Sequence, residues 1–343
     1  MRRFSWAVLA GIVLMSIDVS SAAAQEDSKV LRAGIIGLDT SHAPAFAKLL
    51  NSSEADSEVA GVKVVAAFPG GSPDVESSAS RVEGFTKQLA DMGIEIVPSI
   101  EDLLTKVDVV LLESVDGRPH LEQVIPVLRA GKPVFIDKPV AGSLADAVAI
   151  FDLAKQLNVP CFSSSSLRFS KGILGMRDNE KIGKVVGCDA RGPCSLEPHH
   201  PDLFWYGIHG TEILFTIMGP GIEEVTRTQT EGTEFVVGRW NDGRIGTFRG
   251  LRAGAHGYGA TVYGEKAIAP SGGYDGYQPL VVEIVKFFKT GKPPVSAEET
   301  LEIYAFMEAA DESKRQGGVP VKIDSVMEKA RKAAAKMNLS AAQ

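Results

Sequence analysis

From Val30 onward the chain alternates short apolar runs with longer amphipathic ones, and this alternation restricts its fold more than any other feature. The runs 31–36, 62–68, 107–112, 133–136 and 159–162 are predominantly apolar and read as strands buried on both faces. Between them 43–50, 80–92, 100–104, 121–130 and 144–157 have helical spacing, several closed by Gly93, Gly131 or a following proline. Strands separated by helices imply right-handed crossovers and a parallel sheet. The expected fold class is therefore α/β, with a Rossmann-type doubly wound parallel sheet over 28–165.

After Arg168 the texture changes. The strand-like runs 185–190, 225–230, 235–240, 246–249 and 260–263 are divided by Gly or Asp-Gly turns, and Asn241-Asp242-Gly243 is a hairpin signal. An α+β domain with a mainly antiparallel sheet is expected over 166–339, closing with helices at 297–316 and 325–336. The stretch 250–277, rich in Gly and Tyr, reads as loops around one strand. An exposed antiparallel sheet would offer a surface for a homo-oligomer.

With 343 residues, 44% hydrophobic and 23% charged, the composition excludes disorder and collagen-like repetition and suits two domains. Thirty-six basic against 43 acidic side chains give a net charge of −7, which argues against general affinity for nucleic acid or anionic membranes. At the N-terminus, Arg2 and Arg3 precede an apolar run over 4–17 and a small-residue stretch ending at Ala24. This reads as a signal peptide over 1–24, cleaved before Gln25. The run is too short to span a bilayer, which takes roughly 20 residues. A secreted or periplasmic location is expected, by Sec rather than twin-arginine export, because Met1-Arg2-Arg3-Phe4-Ser5-Trp6 fits the twin-arginine signal poorly. Cys161, Cys188 and Cys194 form no disulfide framework. On one strand, Cys188 and Cys194 would stand roughly 20 Å apart.

The first strand runs into Gly37-Leu38-Asp39-Thr40-Ser41-His42 and a helix, the place where a dinucleotide fold holds pyrophosphate on a helix N-terminus. Asp39 and His42 stand where the second and third glycines of G-x-G-x-x-G would be. Asp39 either opposes a bound phosphate or, with Thr40 or Ser41, caps the helix. After the second strand Phe68-Pro69-Gly70-Gly71-Ser72 replaces the expected ribose-binding acid, and the nearest arginine for a 2′-phosphate is Arg81. Lys138 falls at the carboxyl end of a strand, the ligand-binding edge of open α/β sheets, where it suits a developing alkoxide. His209 opens an apolar helix, whose N-terminus disfavours the imidazolium and leaves the ring available as a base. Glu212, one turn on, is placed to orient that ring. The segment from Glu197 to Asp202, with His199 and His200, lacks the spacing of a metal motif and reads as a polar loop at the cleft mouth. No metal is assigned. Glu113 and Asp116 fall on the cofactor side of the same cleft.

Val107-Asp108-Val109-Val110-Leu111-Leu112, His120 and Asp137-Lys138-Pro139 together resemble the Gfo/Idh/MocA family, named for glucose–fructose oxidoreductase and inositol dehydrogenase, where Glu-Lys-Pro is the signature. The resemblance continues through Ser166-Leu167-Arg168-Phe169, Gly207-Ile208-His209 and Tyr263-Gly264-Glu265-Lys266, essentially along the whole mature chain. It implies NAD or NADP as cofactor, a sugar or polyol hydroxyl as the reacting group, and Lys138 and His209 as catalytic residues. His209 matches the family's histidine, although Trp205 stands where an aspartate is usual. The cofactor is then expected against Gly37, Leu38, Asp39, Thr40, Ser41, His42, Ser114, His120, Asp137 and Lys138. The substrate is expected against Lys138, Arg168, Asp202 and His209. Two further readings remain open: a noncatalytic carbohydrate-binding descendant, and an enzyme that retains its dinucleotide and gives net glycoside cleavage, elimination or epimerisation.

Overall fold

The computed structural model describes Met1 and residues 30–53 and 58–339, so all but the first residue of the expected signal peptide lies outside the described residues. Strands β1 (Leu31–Ile36), β2 (Val62–Phe68), β3 (Glu95–Ile96), β4 (Val109–Leu112), β5 (Val134–Ile136) and β6 (Cys161–Ser163) form one sheet in the order β3-β2-β1-β4-β5-β6. Every pairing is parallel. The order reverses between β1 and β4, which opens a crevice at their carboxyl ends. The helices between them are α1 (His42–Asn51), α2 (Glu76–Ala79), α3 (Val82–Asp91), α4 (Ile100–Leu104), α5 (His120–Arg129) and α6 (Leu144–Leu157). Ser143 caps α6 by accepting from the Asp146 N–H, and Asn158 ends it in the left-handed conformation.

Beyond Arg168 come α7 (Lys171–Leu174), β7 (Val185–Pro193), α8 (Asp202–Trp205), α9 (Gly207–Met218), β8 (Ile222–Thr230), β9 (Thr233–Trp240), β10 (Ile245–Leu251), β11 (Gly259–Gly264) and β12 (Ile268–Pro270). Then follow α10 (Gln278–Thr290), α11 (Ala297–Arg315), β13 (Val321–Lys322) and α12 (Ile323–Ala334). The second sheet runs β12-β11-β7-β10-β9-β8-β13, antiparallel except where β7 meets β10. The turn at Asn241-Asp242-Gly243 joins β9 to β10 as expected, with Gly243 at φ +87°. Cys161, Cys188 and Cys194 are buried free thiols.

Besides the one-turn helices α2, α7 and α8, one long helix, α10, was not anticipated. The apolar face of α10 packs on the first sheet beside α1, with Leu280, Ile284 and Phe287 against Ile35, Phe46, Phe135 and Phe162. Its Val, Ile and Phe content resembles a strand, but Pro279 at the start and Gly291 in the left-handed conformation mark it as a helix. The chain thus returns from the second sheet to cover the first. On the other face α6 shares a core with α11 and α12. Among the described residues no helix is long and apolar enough to cross a membrane.

Candidate active site

The loop after β1 is built around Gly37, whose φ is +90°; a Cβ there would lie 2.4 Å from the Ser114 nitrogen. The next residues turn inward. Asp39 is fully buried, its Oδ1 accepting from the Val115 N–H (2.9 Å) and its Oδ2 from the Ser78 hydroxyl (2.6 Å), while Ser78 Oγ accepts from the Ser72 N–H. Asp39 therefore ties together the loops after β1, β2 and β4. Burial pushes its pKa up against the pull of those hydrogen bonds. Neither role expected for it holds, because Ser41 occupies the N-cap of α1, without a side-chain cap bond, and the Asp39 carboxylate is turned away.

A cavity of about 490 Å³ lies between the two sheets. From the first domain it takes Thr40, Ser41 and His42 at the start of α1, Arg81 beyond β2, and Lys138 beyond β5. From the second it takes Tyr206, His209, Tyr258, Tyr274 and Tyr277, so four of the chain's six tyrosines form one wall. Lys138 is 8% exposed, with Nζ 5.5 Å from the centre of the Tyr206 ring. His209 lies in the first turn of α9, edge-on to Tyr206 and Tyr258, with Nδ1 2.8 Å from Ser165 Oγ. Burial, and then the charges of Lys138 and His42, hold its pKa well below the usual imidazole value. At neutral pH it is an uncharged base. Ser165 Oγ also accepts from the Leu167 N–H. The tautomer that leaves Nε2 basic is the one in which Nδ1–H donates to Ser165.

Several anticipated contacts are instead internal. Arg168 is buried and committed to Glu212 (2.6 Å) and Glu299 (2.7 Å), so Glu212 neutralises a guanidinium rather than orienting His209. The Arg168 Nη2 has no hydrogen-bond partner among the described residues, but Arg168 does not line the cavity. Asp202 accepts from Arg227 (2.9 Å) and Lys314 (2.5 Å) and does not line the cavity. His120 is fully buried, its ring nitrogens against the Ser114 and Val140 carbonyls, and Ser114 Oγ donates to Gln123. Both brace the β4 loop. His200 Nε2 meets the Gly117 N–H and Asp116, while His199 pairs with Glu197. Burial pushes the Asp116 pKa up, but hydrogen bonds from His200, Arg118 and Ser72 together hold it low. Sequence reasoning missed Ser165 and the wall tyrosines Tyr206, Tyr258, Tyr274 and Tyr277, while Arg81, noted there as the arginine nearest the β2 turn, does line the cavity. Tyrosine density in a Gly-rich loop was the signal available.

Behind the cavity wall three buried side chains converge. His42 Nδ1 lies 2.6 Å from Asp137 Oδ2, and one donor atom each from His42, Glu113 and Asp137 falls within 4.8 Å of the others. Burial and then Asp137 push the Glu113 pKa well up. Burial opposes ionisation of Asp137, but the charges of His42 and Lys138 and the His42 hydrogen bond keep its pKa low.

These residues fit a nicotinamide dinucleotide at three points. The uncapped N-terminus of α1 opens on the cavity, the Asp39 carboxylate is out of the way, and Gly37 allows the close turn. Thr40 and Ser41 would meet the pyrophosphate, with Arg81 toward the ribose side and Lys138 at the reacting end.

The sequence profile of an oxidoreductase family with an NAD-binding Rossmann fold, Gfo/Idh/MocA, matches residues 31–165. The chain is 27% identical over 181 residues to a myo-inositol 2-dehydrogenase of Thermotoga maritima, covering 46% of this chain and 53% of the relative. It is 31% identical over 107 residues to a 1,5-anhydro-D-fructose reductase of Ensifer adhaerens, covering 30% and 32%. The chain thus matches about half or less of these curated relatives' length. Among solved structures, a probable dehydrogenase from T. maritima superposes with a TM-score of 0.69 at 23% identity, over 86% of this chain and all of that one. A scyllo-inositol dehydrogenase from Lactobacillus casei, bound to NAD(H) and scyllo-inositol, superposes with a TM-score of 0.70 at 16% identity over the same shares. At such identities these likenesses show the fold.

Proposed function

Through residues 31–165 the chain belongs to the Gfo/Idh/MocA oxidoreductase family, and from that premise we propose that it is a secreted NAD(P)-dependent dehydrogenase of a sugar or cyclic polyol. The observation that carries this reading is that Lys138 and His209, 71 residues apart and from different domains, line one cavity, with the histidine uncharged. The inositol dehydrogenases among its relatives and structural neighbours support the substrate class.

Bound nicotinamide supplies a hydride acceptor for the carbon bearing the reacting hydroxyl. The chain's own groups do the rest. His209 Nε2 takes the hydroxyl proton as the carbonyl forms, and Ser165 stabilises the resulting imidazolium by accepting from Nδ1–H. The Lys138 ammonium holds the oxygen and favours its developing negative charge. Tyr206, Tyr258, Tyr274 and Tyr277 offer flat faces to the C–H edges of a sugar ring and exclude water. A homo-oligomer would use the open face of the second sheet, which carries Phe235 and Val237 of β9 and the exposed Ile245 of β10.

The test is turnover of a polyol and sugar panel with NAD+ and NADP+. Lys138→Met and His209→Asn should each lower kcat by about 10²–10⁴-fold. The double variant should lose little more than either one, since groups serving one proton transfer fail as a unit. Full activity in a well-folded single variant would remove that residue from the mechanism. Export is tested by N-terminal sequencing of protein from the native host, which should begin at or near Gln25; an intact Met1 would refute it.

A further inference from the structure

Three carboxylates, Asp39, Glu113 and Asp137, act on one small buried region at the carboxyl ends of β1, β4 and β5, against the single ammonium of Lys138. Asp39 is satisfied by Val115 and Ser78. The other two are not. Glu113 is fully buried with neither carboxylate oxygen hydrogen-bonded among the described residues, and Asp137, 1% exposed, leaves Oδ1 without a partner. Buried carboxylate oxygens normally have donors, because desolvation without compensation costs several kcal/mol. Here the one imidazole within reach, His42, bonds a single oxygen and leaves three.

We propose that His42, Glu113 and Asp137 form a binding site for a divalent transition-metal ion, zinc by preference, at the wall of the cavity. One imidazole and two carboxylates make a three-protein-ligand set of the kind zinc uses when a fourth position stays open. The three donors already lie within 4.8 Å of one another, so small side-chain rotations bring all of them to the roughly 2.0–2.2 Å that zinc takes. Two carboxylates balance the charge of the ion. His42 lines the cavity while Glu113 and Asp137 lie behind it, so the ion would be reached from the cavity past His42.

The histidine-rich loop from Glu197 to Asp202 lacks this arrangement. There His200 is held by the Gly117 N–H, and the Asp116 carboxylate is already taken up by the Arg118 guanidinium. Position matters as much as composition: α1 presents His42 where a dinucleotide loop has its third glycine, and only the parallel order β1-β4-β5 brings Glu113 and Asp137 beside it.

The site is tested without dinucleotide or substrate, so its failure leaves the dehydrogenase reading standing. Chelator-treated protein is titrated with Zn²⁺ and, for a spectroscopic signature, Co²⁺. The expected result is one equivalent per chain, a rise in Tm on loading, and visible ligand-field absorption with Co²⁺. Glu113→Gln should weaken Zn²⁺ binding by at least about tenfold and abolish the Tm rise. His42→Gln should do the same and serves where Glu113→Gln does not fold. His199→Ala should change neither. Absence of stoichiometric Zn²⁺ in the unaltered protein, binding that survives both substitutions, or binding lost with His199 would each overturn the assignment.

Discussion

Two buried clusters of charged side chains, one in each domain, differ in how their charges are answered. In the second domain Arg227 is wholly buried and surrounded: Nε donates to Glu234 (2.7 Å), one terminal nitrogen bonds Asp311, and the other reaches Asp202 (2.9 Å). Arg252 lies 2.8 Å from the other oxygen of Glu234, an ion pair without hydrogen-bond geometry, so that oxygen is answered by charge alone, and Lys314 meets Asp202. In the first domain Glu113 and Asp137 have only His42 and Lys138, and three carboxylate oxygens go without hydrogen-bond partners. The first arrangement holds strands and helices in place; the second lies behind a cavity wall that His42 and Lys138 line. Charge that is buried and answered serves the fold, whereas charge buried and left unanswered beside a cavity is available to a ligand.

The largest effect that separates the clusters is on stability. Arg227→Met should cost about 3–5 kcal/mol, because Glu234 and Asp311 would be left as buried acids without their counter-charge. Burial already pushes Asp311 to about 7 even with that arginine in place. Denaturant unfolding of the variant checks this, and an unchanged midpoint would break the comparison by making the Arg227 cluster as dispensable as an exposed ion pair.

A smaller and sharper effect concerns pH. Because burial, Lys138 and His42 depress the His209 pKa below 6.5, kcat/KM should stay level as pH falls through 6.5 and decline only beneath it. The unfolded chain binds a proton near 6.5 that the folded one refuses, so this residue also makes stability rise with pH in the window below 6.5. His209→Asn should flatten that slope. An imidazole NMR titration with its midpoint at or above 6.5 would show that the cavity wall does not hold the base neutral.

How far these regions were legible in advance follows from the range of the contacts that make them. Five strands of the first sheet, all but the two-residue β3, and helices such as α4 and α6 are marked by local period and by caps, and they stand within about two residues of where the pattern places them. Lys138 was legible because a strand's carboxyl end is a sequence position, and His209 because a helix start is one. Arg168 and Asp202 were expected as substrate ligands, and the partners that instead take them up lie 44, 131, 25 and 112 residues away. The role of α10 was hidden for the same reason, as its packing partners are Ile35, Phe46 and Phe135.

Glycine at 37, the alternation of apolar runs and the Asp-Lys-Pro turn determined by themselves that this chain winds a parallel sheet with a ligand edge, because each acts through backbone geometry within a few residues. Tertiary structure alone decided which polar side chains serve that edge. Asp39 was drawn inward by Ser78 and Val115, Glu212 was taken by Arg168, and Ser165 was left to orient His209. A side chain's electrostatic role depends on what charge lies within a few ångströms, and that distance is set by the packing of remote segments rather than by neighbours in the chain.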